Sequence, residues 1–227
     1  MKKHLIIVLL SVLALNANAQ GDVEYRWEIG AGAGLTAYEG DFNTSIVKGM
    51  EPNVTVLLRR ILNPRMAVRL SGSLGKIKGS SNNVDTYYAL YHDEPYEFEH
   101  TLTDVSALFE YNFWPYGTGK EYRGAKRLTP FIMGGIGFTG ATGGDKNVFT
   151  ANLPIGVGVK YRVSDRLNLG LEWGIHFTLS DKLDGVEDPY GIKSSGLFKN
   201  TDSYSALQFT ATYSFSPKCR TCHNANE

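Results

Sequence analysis

The stretch that decides the fold is Asn-Leu-Pro-Ile-Gly-Val-Gly-Val-Lys-Tyr-Arg (152–162), then Val-Ser-Asp-Arg, then Leu-Asn-Leu-Gly-Leu-Glu-Trp-Gly-Ile-His-Phe-Thr-Leu (167–179). In both runs every odd position is apolar, and Gly, Asn, Lys, Glu, His and Thr lie between. Because side chains alternate faces along a strand, each run predicts a long strand with one apolar face. Ser164-Asp165 favours a tight reversal between them. A strand of about 9–11 residues crosses a bilayer in a tilted barrel.

The first 19 residues have the pattern of a secretory signal peptide. Lys2 and Lys3 form a basic start, residues 5–15 are apolar, and Ala17-Asn18-Ala19 offers a cleavage site. We therefore expect a barrel over residues 20–215 and a periplasmic tail over residues 216–227. No later segment reaches about 18 apolar residues, so no transmembrane helix is expected.

Composition narrows the class of protein. The sequence has 23 basic and 23 acidic residues, and loss of Lys2 and Lys3 leaves 21 against 23. A chain so close to neutral argues against nucleic acid as the partner. The 25 glycines, 13 tyrosines and 11 phenylalanines are typical of a single all-β domain.

Eight alternating segments predict an all-β, eight-stranded, antiparallel up-and-down transmembrane barrel. They are Trp27–Tyr38, Asn53–Ile61, Met66–Lys76, Leu102–Phe113, Thr129–Thr139, Asn152–Arg162, Leu167–Leu179 and Tyr204–Phe215. The links alternate between short turns and long polar loops, as in outer-membrane barrels, and the 114–128 link is the longest of the short set. An even strand number would put both termini in the periplasm, in the outer membrane of a Gram-negative bacterium.

Aromatic and glycine residues favour the membrane barrel over a soluble β-sandwich or lipocalin-like barrel, in which the apolar face would be the core. Aromatic residues expected to form a girdle at the periplasmic interface are Trp27, Phe113, Trp114, Phe131, Tyr161, Tyr213 and Phe215. The polar face carries glycines at positions 30, 32, 34, 156, 158, 170 and 174. A narrow, packed lumen needs such small residues, whereas a water-facing sheet does not.

Charged residues of both signs fall on the inward face. We predict an ion-pair network in the lumen formed by Glu28, Arg69, Glu110, Lys160, Arg162 and Glu172. Eight strands enclose little more than side chains, so no passive channel is expected. His176, Thr178 and Ser180 share the inward face, but no orienting group and no nucleophile elbow accompany them. We therefore expect no enzymatic activity, no metal and no cofactor.

The C-terminal tail holds both cysteines of the chain, Cys219 and Cys222. Three interpretations stay open. Cys219-Arg-Thr-Cys222-His223 matches the haem c attachment pattern, although a polar tail offers no pocket. The two thiols could instead form a local disulfide, or they could link covalently to a periplasmic partner.

Several stretches carry a family resemblance over nearly the whole mature chain. They are Trp-Glu-Ile-Gly (27–30), Tyr-Glu-Gly-Asp (38–41), Leu-Asn-Pro-Arg-Met-Ala-Val-Arg (62–69), Phe-Glu-Tyr-Asn-Phe (109–113), Thr-Pro-Phe (129–131), the run 153–166, Leu-Glu-Trp-Gly (171–174) and Asp181, Leu183 and Asp184. In this order they resemble the PorG-like family, outer-membrane barrels of the type IX secretion system of Bacteroidetes.

The resemblance implies an accessory role in secretion and no active site. It implies partners in the periplasmic ring, a PorK-like lipoprotein and PorN-like proteins, besides outer-membrane lipid. From the residues we predict two contacts with the ring. One is made by the tail, through Cys219 and Cys222. The other is made by the 114–128 link, through a basic set that consists of Lys120, Arg123, Lys126 and Arg127. Lipid head groups are the alternative partner of that basic set. A surface barrel that binds through its tyrosine-rich loop 86–91, or a small lipid-modifying enzyme, is the alternative function.

Overall fold

The computed structural model describes residues 25–40, 49–81, 97–117, 125–143, 147–180, 183 and 201–217. The predicted signal peptide, the tyrosine-rich loop and both cysteines lie outside these residues. Eight strands are present in the described part: β1 (Tyr25–Glu39), β2 (Glu51–Asn63), β3 (Met66–Ser80), β4 (Glu97–Asn112), β5 (Leu128–Thr142), β6 (Val148–Arg162), β7 (Leu167–Thr178) and β8 (Ser203–Pro217). No helix among the described residues is long and apolar enough to cross a membrane.

The eight strands close into one barrel in chain order, and every neighbouring pair is antiparallel. The closing pair joins β1 to β8, with Trp27 opposite Phe215 and Glu39 opposite Ser203. This confirms the predicted fold class. The first strand begins at Tyr25 and the last strand ends at Pro217, and these two residues pair with each other. They lie at the same end of the barrel as the short turns 64–65 and 163–166.

The strands are longer than the apolar alternation predicts. For example, β4 begins at Glu97, whereas the prediction begins at Leu102. Glu97 and Glu99 are exposed and stand beyond the apolar part of the outer face, yet each still pairs with a residue of β3. The hydrogen-bond ladder therefore continues where the outer face turns from apolar to charged, which a hydrophobicity pattern cannot detect.

The barrel is apolar outside and polar inside. Outward residues such as Val56, Ile136 and Leu171 expose 64, 67 and 54% of their surface, whereas the inward Glu110 exposes none. A soluble barrel would reverse this arrangement, because it buries its apolar face. The strands hold 12–16 residues, more than the roughly 9–11 that a tilted strand needs to span a bilayer. The arrangement is therefore that of a transmembrane β-barrel.

The predicted girdle is correct except at Phe131. Phe113, Trp114, Tyr161, Tyr213 and Phe215 are 38–47% exposed at the short-turn end, on the outer face. The assignment of Phe131 to the girdle was wrong, because it is only 1% exposed and points into the lumen. Its odd position on β5 places it on the same face as the buried Thr129 and Thr139.

Inward glycines make room for the large inward side chains of the neighbouring strand. Phe131 and Met133 of β5 lie opposite Gly158 and Gly156 of β6. A Cβ added at Gly158 would lie 2.6 Å from Cε1 of Phe131 and 2.7 Å from the carbonyl oxygen of Leu171. The inner glycines thus serve packing, as the sequence predicts.

The substitution Gly158→Ala is expected to lower the free energy of unfolding by about 1–3 kcal/mol, since the new methyl group overpacks the lumen. Urea titration of the folded protein in detergent measures the loss. Gly134→Ala is the matched control, because a Cβ there has no neighbour closer than 3.8 Å. Equal losses at both glycines would contradict the close packing of Phe131 on Gly158.

Candidate functional site

The centre of the lumen is an ion-pair network. Glu110 of β4 is its hub: its carboxylate lies 2.8 Å from Nε of Arg59, 2.5 Å from Nζ of Lys160 and 3.3 Å from Nη1 of Arg69. The network extends on either side to Glu28, 2.5 Å from Arg59, and to Glu172, 2.7 Å from Arg69. Three carboxylates thus face three cations, and every side chain is at most 5% exposed.

Arg59 is the member that sequence analysis missed. It lies on β2, where the run Val54-Thr55-Val56-Leu57-Leu58 alternates poorly because Leu57 faces inward. The sequence nevertheless indicates an inward Arg59, because it lies at an odd position of β2, like the inward Asn53 and Thr55. The contacts around Glu110 thus link three negative and three positive charges, which reduces the cost of burying them.

The short-turn end of the lumen is closed by the link between β4 and β5. Tyr116 of that link is 6% exposed, and its hydroxyl donates to Oδ1 of Asn168 at 2.7 Å. Its backbone N–H donates to the carbonyl of Pro64. Burial, together with the charge of Glu28, raises the pKa of the Tyr116 hydroxyl, so it stays protonated as a donor. Arg162 lies beside it and donates to the carbonyl of Gly117.

A second polar cluster fills the lumen nearer the long loops. Oδ2 of Asp104 accepts hydrogen bonds from Asn152 at 2.6 Å, from Tyr204 at 3.0 Å and from Thr139 at 3.1 Å. Nδ1 of His176 lies 3.8 Å from the same oxygen, and its ring stacks on Tyr204. Asp104 therefore ties together four strands and shares one buried carboxylate among neutral donors.

An apolar cluster closes the long-loop end. It consists of Tyr38, Ile77, Phe98, Leu102, Ala141, Leu183 and Tyr204. Leu183 is fully buried; its N–H donates to Asp202 at 2.8 Å, and its carbonyl lies 2.7 Å from Nδ1 of His100. The β7–β8 loop thus inserts a leucine into the mouth of the barrel.

Two small cavities lie in the described part of the lumen. Each has a volume of about 20 Å³, and Asp104, His176 and Gln208 line both. That volume holds about one water molecule. Tyr116 is buried at one end of the described lumen and Leu183 at the other.

The triplet of His176, Thr178 and Ser180 does not form a nucleophile with its base. Thr178 is fully buried, and its hydroxyl donates to the carbonyl of Asp202 at 2.6 Å. His176 contacts Tyr204 and Asp104 instead, inside the lumen. In the described part of the chain, no three His, Cys, Asp or Glu side chains are grouped so as to hold a metal ion.

The outside of the short-turn end carries cations packed on aromatic rings. The guanidinium of Arg60 lies 5.6 Å from the Trp27 ring, and Nζ of Lys126 lies 4.5 Å from the Trp114 ring. Arg166, in the β6–β7 turn, donates to the hydroxyls of Tyr213 at 2.8 Å and Tyr25 at 3.0 Å. These two hydrogen bonds hold the pKa of Arg166 above its ordinary value.

Comparison with known protein families assigns the whole chain to one of them. The model of the domain of unknown function DUF6089 matches residues 2–224. The chain belongs to the DUF6089 family. No curated protein matches this DUF6089 chain.

Solved structures similar to this DUF6089 barrel share little sequence with it. The attachment invasion locus protein Ail of Yersinia pestis matches with a TM-score of 0.48 and 11% identity, over 85% of this chain and 99% of its own. Neisserial surface protein A matches with a TM-score of 0.47 and 13% identity, over 83% of this chain and 97% of its own. The outer membrane protein OprG of Pseudomonas aeruginosa matches with a TM-score of 0.47 and 12% identity, over 87% of this chain and 99% of its own. The strand pairing itself carries the barrel assignment.

The predicted partner-binding residues of this DUF6089 protein are only partly described. Lys126 and Arg127 are exposed on the link between β4 and β5, at the short-turn end. Lys120, Arg123, Cys219 and Cys222 lie outside the described residues. The contacts of these residues with the ring proteins and the state of the thiols therefore stay predictions.

Proposed function

We propose that this protein is a non-enzymatic outer-membrane barrel that serves type IX protein secretion, where it anchors or organises the periplasmic ring complex. The observation that supports this most is the filled lumen. Among the described residues, Tyr116, the ion-pair network and Leu183 all occupy the lumen. In this proposal the barrel works at its ends, by contact with other molecules.

The short-turn end is the proposed periplasmic end. Both ends of the described barrel, Tyr25 and Pro217, lie there, so a tail after Pro217 would extend into the same compartment. In this proposal the signal peptide is cleaved and the host is a Gram-negative bacterium resembling Bacteroidetes. The resemblance to the PorG-like family supplies the partners, which are PorK-like and PorN-like ring proteins.

The proposed contact surface is the link between β4 and β5 together with the tail. Lys126 and Arg127 are exposed at the edge of that link, and Lys120 and Arg123 add to its positive charge. An exposed basic segment favours an acidic surface on the partner. Cys219 and Cys222 would strengthen this contact if either forms a mixed disulfide.

Deleting residues 218–227 is expected to abolish co-purification of the ring proteins with the barrel. The boundary follows from the structure, because Pro217 still pairs with Tyr25 and the last strand stays complete. Mild crosslinking in cells, then affinity purification of the barrel, measures the loss. A shift in gel migration between heated and unheated samples confirms that the truncated barrel folds.

The matched control is a deletion of residues 82–96, in the β3–β4 loop at the opposite end. It is expected to keep the ring proteins bound. Loss of binding in this variant alone would support the alternative function, a surface barrel that binds through its tyrosine-rich loop. If neither deletion changes the co-purified proteins, the proposed role in secretion is wrong.

A further inference from the structure

Two arginines lie at the outer face of β8, β1 and β2 at the short-turn end: Arg60 on β2 and Arg166 in the β6–β7 turn. We name this surface the β8–β1–β2 rim; it comprises Tyr25, Trp27, Arg60, Tyr213 and the neighbouring turn residue Arg166. Both guanidinium groups lie against aromatic rings at 5.5–5.9 Å. Among the described residues, neither Arg60 nor Arg166 forms an ion pair.

At the long-loop end of the barrel, two surface lysines form ion pairs with carboxylates. Lys76 pairs with Glu99, and Lys78 pairs with Glu51. Both lysine side chains are about half exposed, as a surface ion pair allows. The contrast shows that the sequence places acidic partners beside cations at the long-loop end but not at the β8–β1–β2 rim.

The rim lies directly at the border of the lipid-facing belt. Arg60 follows Leu58 on the same outer face of β2, about 7 Å further along the strand. Ile29, which is 55% exposed, pairs with both Leu58 and Tyr213. Cations and aromatic rings just past a hydrocarbon belt stand at the level of lipid phosphates.

We propose that the β8–β1–β2 rim binds the head groups of anionic glycerophospholipids in the leaflet that meets the short turns. The tyrosine hydroxyls orient Arg166, and the tryptophan ring supports Arg60, so both donors are held near the phosphate level. A negatively charged membrane surface attracts cations held close to it. This inference goes beyond the proposed role in secretion and does not depend on it, because the basic link lies across the barrel on β4 and β5.

Quenching of tryptophan fluorescence by brominated lipids tests the proposal. The chain has 3 tryptophans, so the variant Trp114→Phe/Trp173→Phe leaves Trp27 as the reporter at the rim. The folded protein is placed in phosphatidylcholine bilayers that contain either dibromo-phosphatidylglycerol or dibromo-phosphatidylcholine. We expect the anionic lipid to bind beside Trp27 about threefold more tightly, and about 0.5 M salt to remove most of this preference.

Two variants locate the effect. Arg60→Gln/Arg166→Gln is expected to bring the preference near Trp27 close to onefold, whereas Lys76→Gln/Lys78→Gln is expected to leave it unchanged. A second reporter protein keeps only Trp114, on the far side of the barrel. Its preference should not change when Arg60 and Arg166 are replaced.

Three outcomes would overturn the proposal. Equal quenching of Trp27 by both lipids, in the protein that keeps Arg60 and Arg166, would show that the rim does not prefer the anionic lipid. This outcome does not depend on whether an arginine variant folds. A preference that survives replacement of both arginines assigns the lipid to other residues. An equal loss at Trp27 and Trp114 shows a general surface-charge effect rather than a site at the rim.

Discussion

Replacement of Glu110 by leucine is expected to lower the free energy of unfolding by about 3–5 kcal/mol, because it leaves buried cations without their shared partner. Glu110 contacts Arg59, Arg69 and Lys160, and its side chain is fully buried. Arg59 and Arg69 keep Glu28 and Glu172, respectively, whereas Lys160 keeps the amide oxygen of Asn112 at 3.2 Å and the face of the Phe131 ring but no carboxylate. Urea titration followed by tryptophan fluorescence measures the change.

Two controls separate the network from a general effect of charge removal. Glu172→Leu removes the contact with Arg69 alone and is expected to cost less than Glu110→Leu. Glu99→Gln breaks an ion pair whose carboxylate side chain is 58% exposed, and it should cost far less than Glu110→Leu because solvent screens the pair. If Glu110→Leu were as mild as Glu99→Gln, Glu110 would not be the hub of the lumen.

The fold and part of the lumen could be predicted because both depend on a period of two. Alternation along Leu167–Thr178 places Glu172 inside and Leu171 outside, whatever strands lie beside them. The same parity predicts an inward Phe131, and the girdle assignment failed because it relied on residue type near a strand end.

Contacts across the lumen could not be predicted, since they depend on the stagger of eight strands. Glu110 and Lys160 lie on β4 and β6, which do not pair with each other. The Asp104 cluster likewise joins β4 to β5, β6 and β8. Parity says that such residues face inward, whereas the barrel's shear decides which of them reach one another. Insertion of Tyr116 and Leu183 depends on loop paths, which alternation does not encode.

Replacement of Phe131 by alanine is expected to cost about 3–5 kcal/mol, as the loss of a fully packed aromatic side chain does. Phe131 is the large apolar side chain beside the ion-pair network, and Nζ of Lys160 lies 4.2 Å from its ring centroid. Gly158 faces the ring and cannot expand to fill the space. The cavity would therefore remain and admit water next to Lys160, and urea titration would show the loss.

Phe138→Ala is the matched control, because this residue lies on the same strand but is 54% exposed on the outer face. It should lose the transfer free energy of the ring, about 2 kcal/mol, and its stacking on Phe149, with no cavity in the lumen. Planar bilayers add a second measurement. Phe131→Ala should leave conductance at the level of the unmodified protein, because the carboxylates and guanidinium groups around Glu110 and the ring of Tyr116 remain in the lumen. A stable current through this variant would show that Phe131 alone closes the barrel, and the lumen would then be a gated pore rather than a solid core.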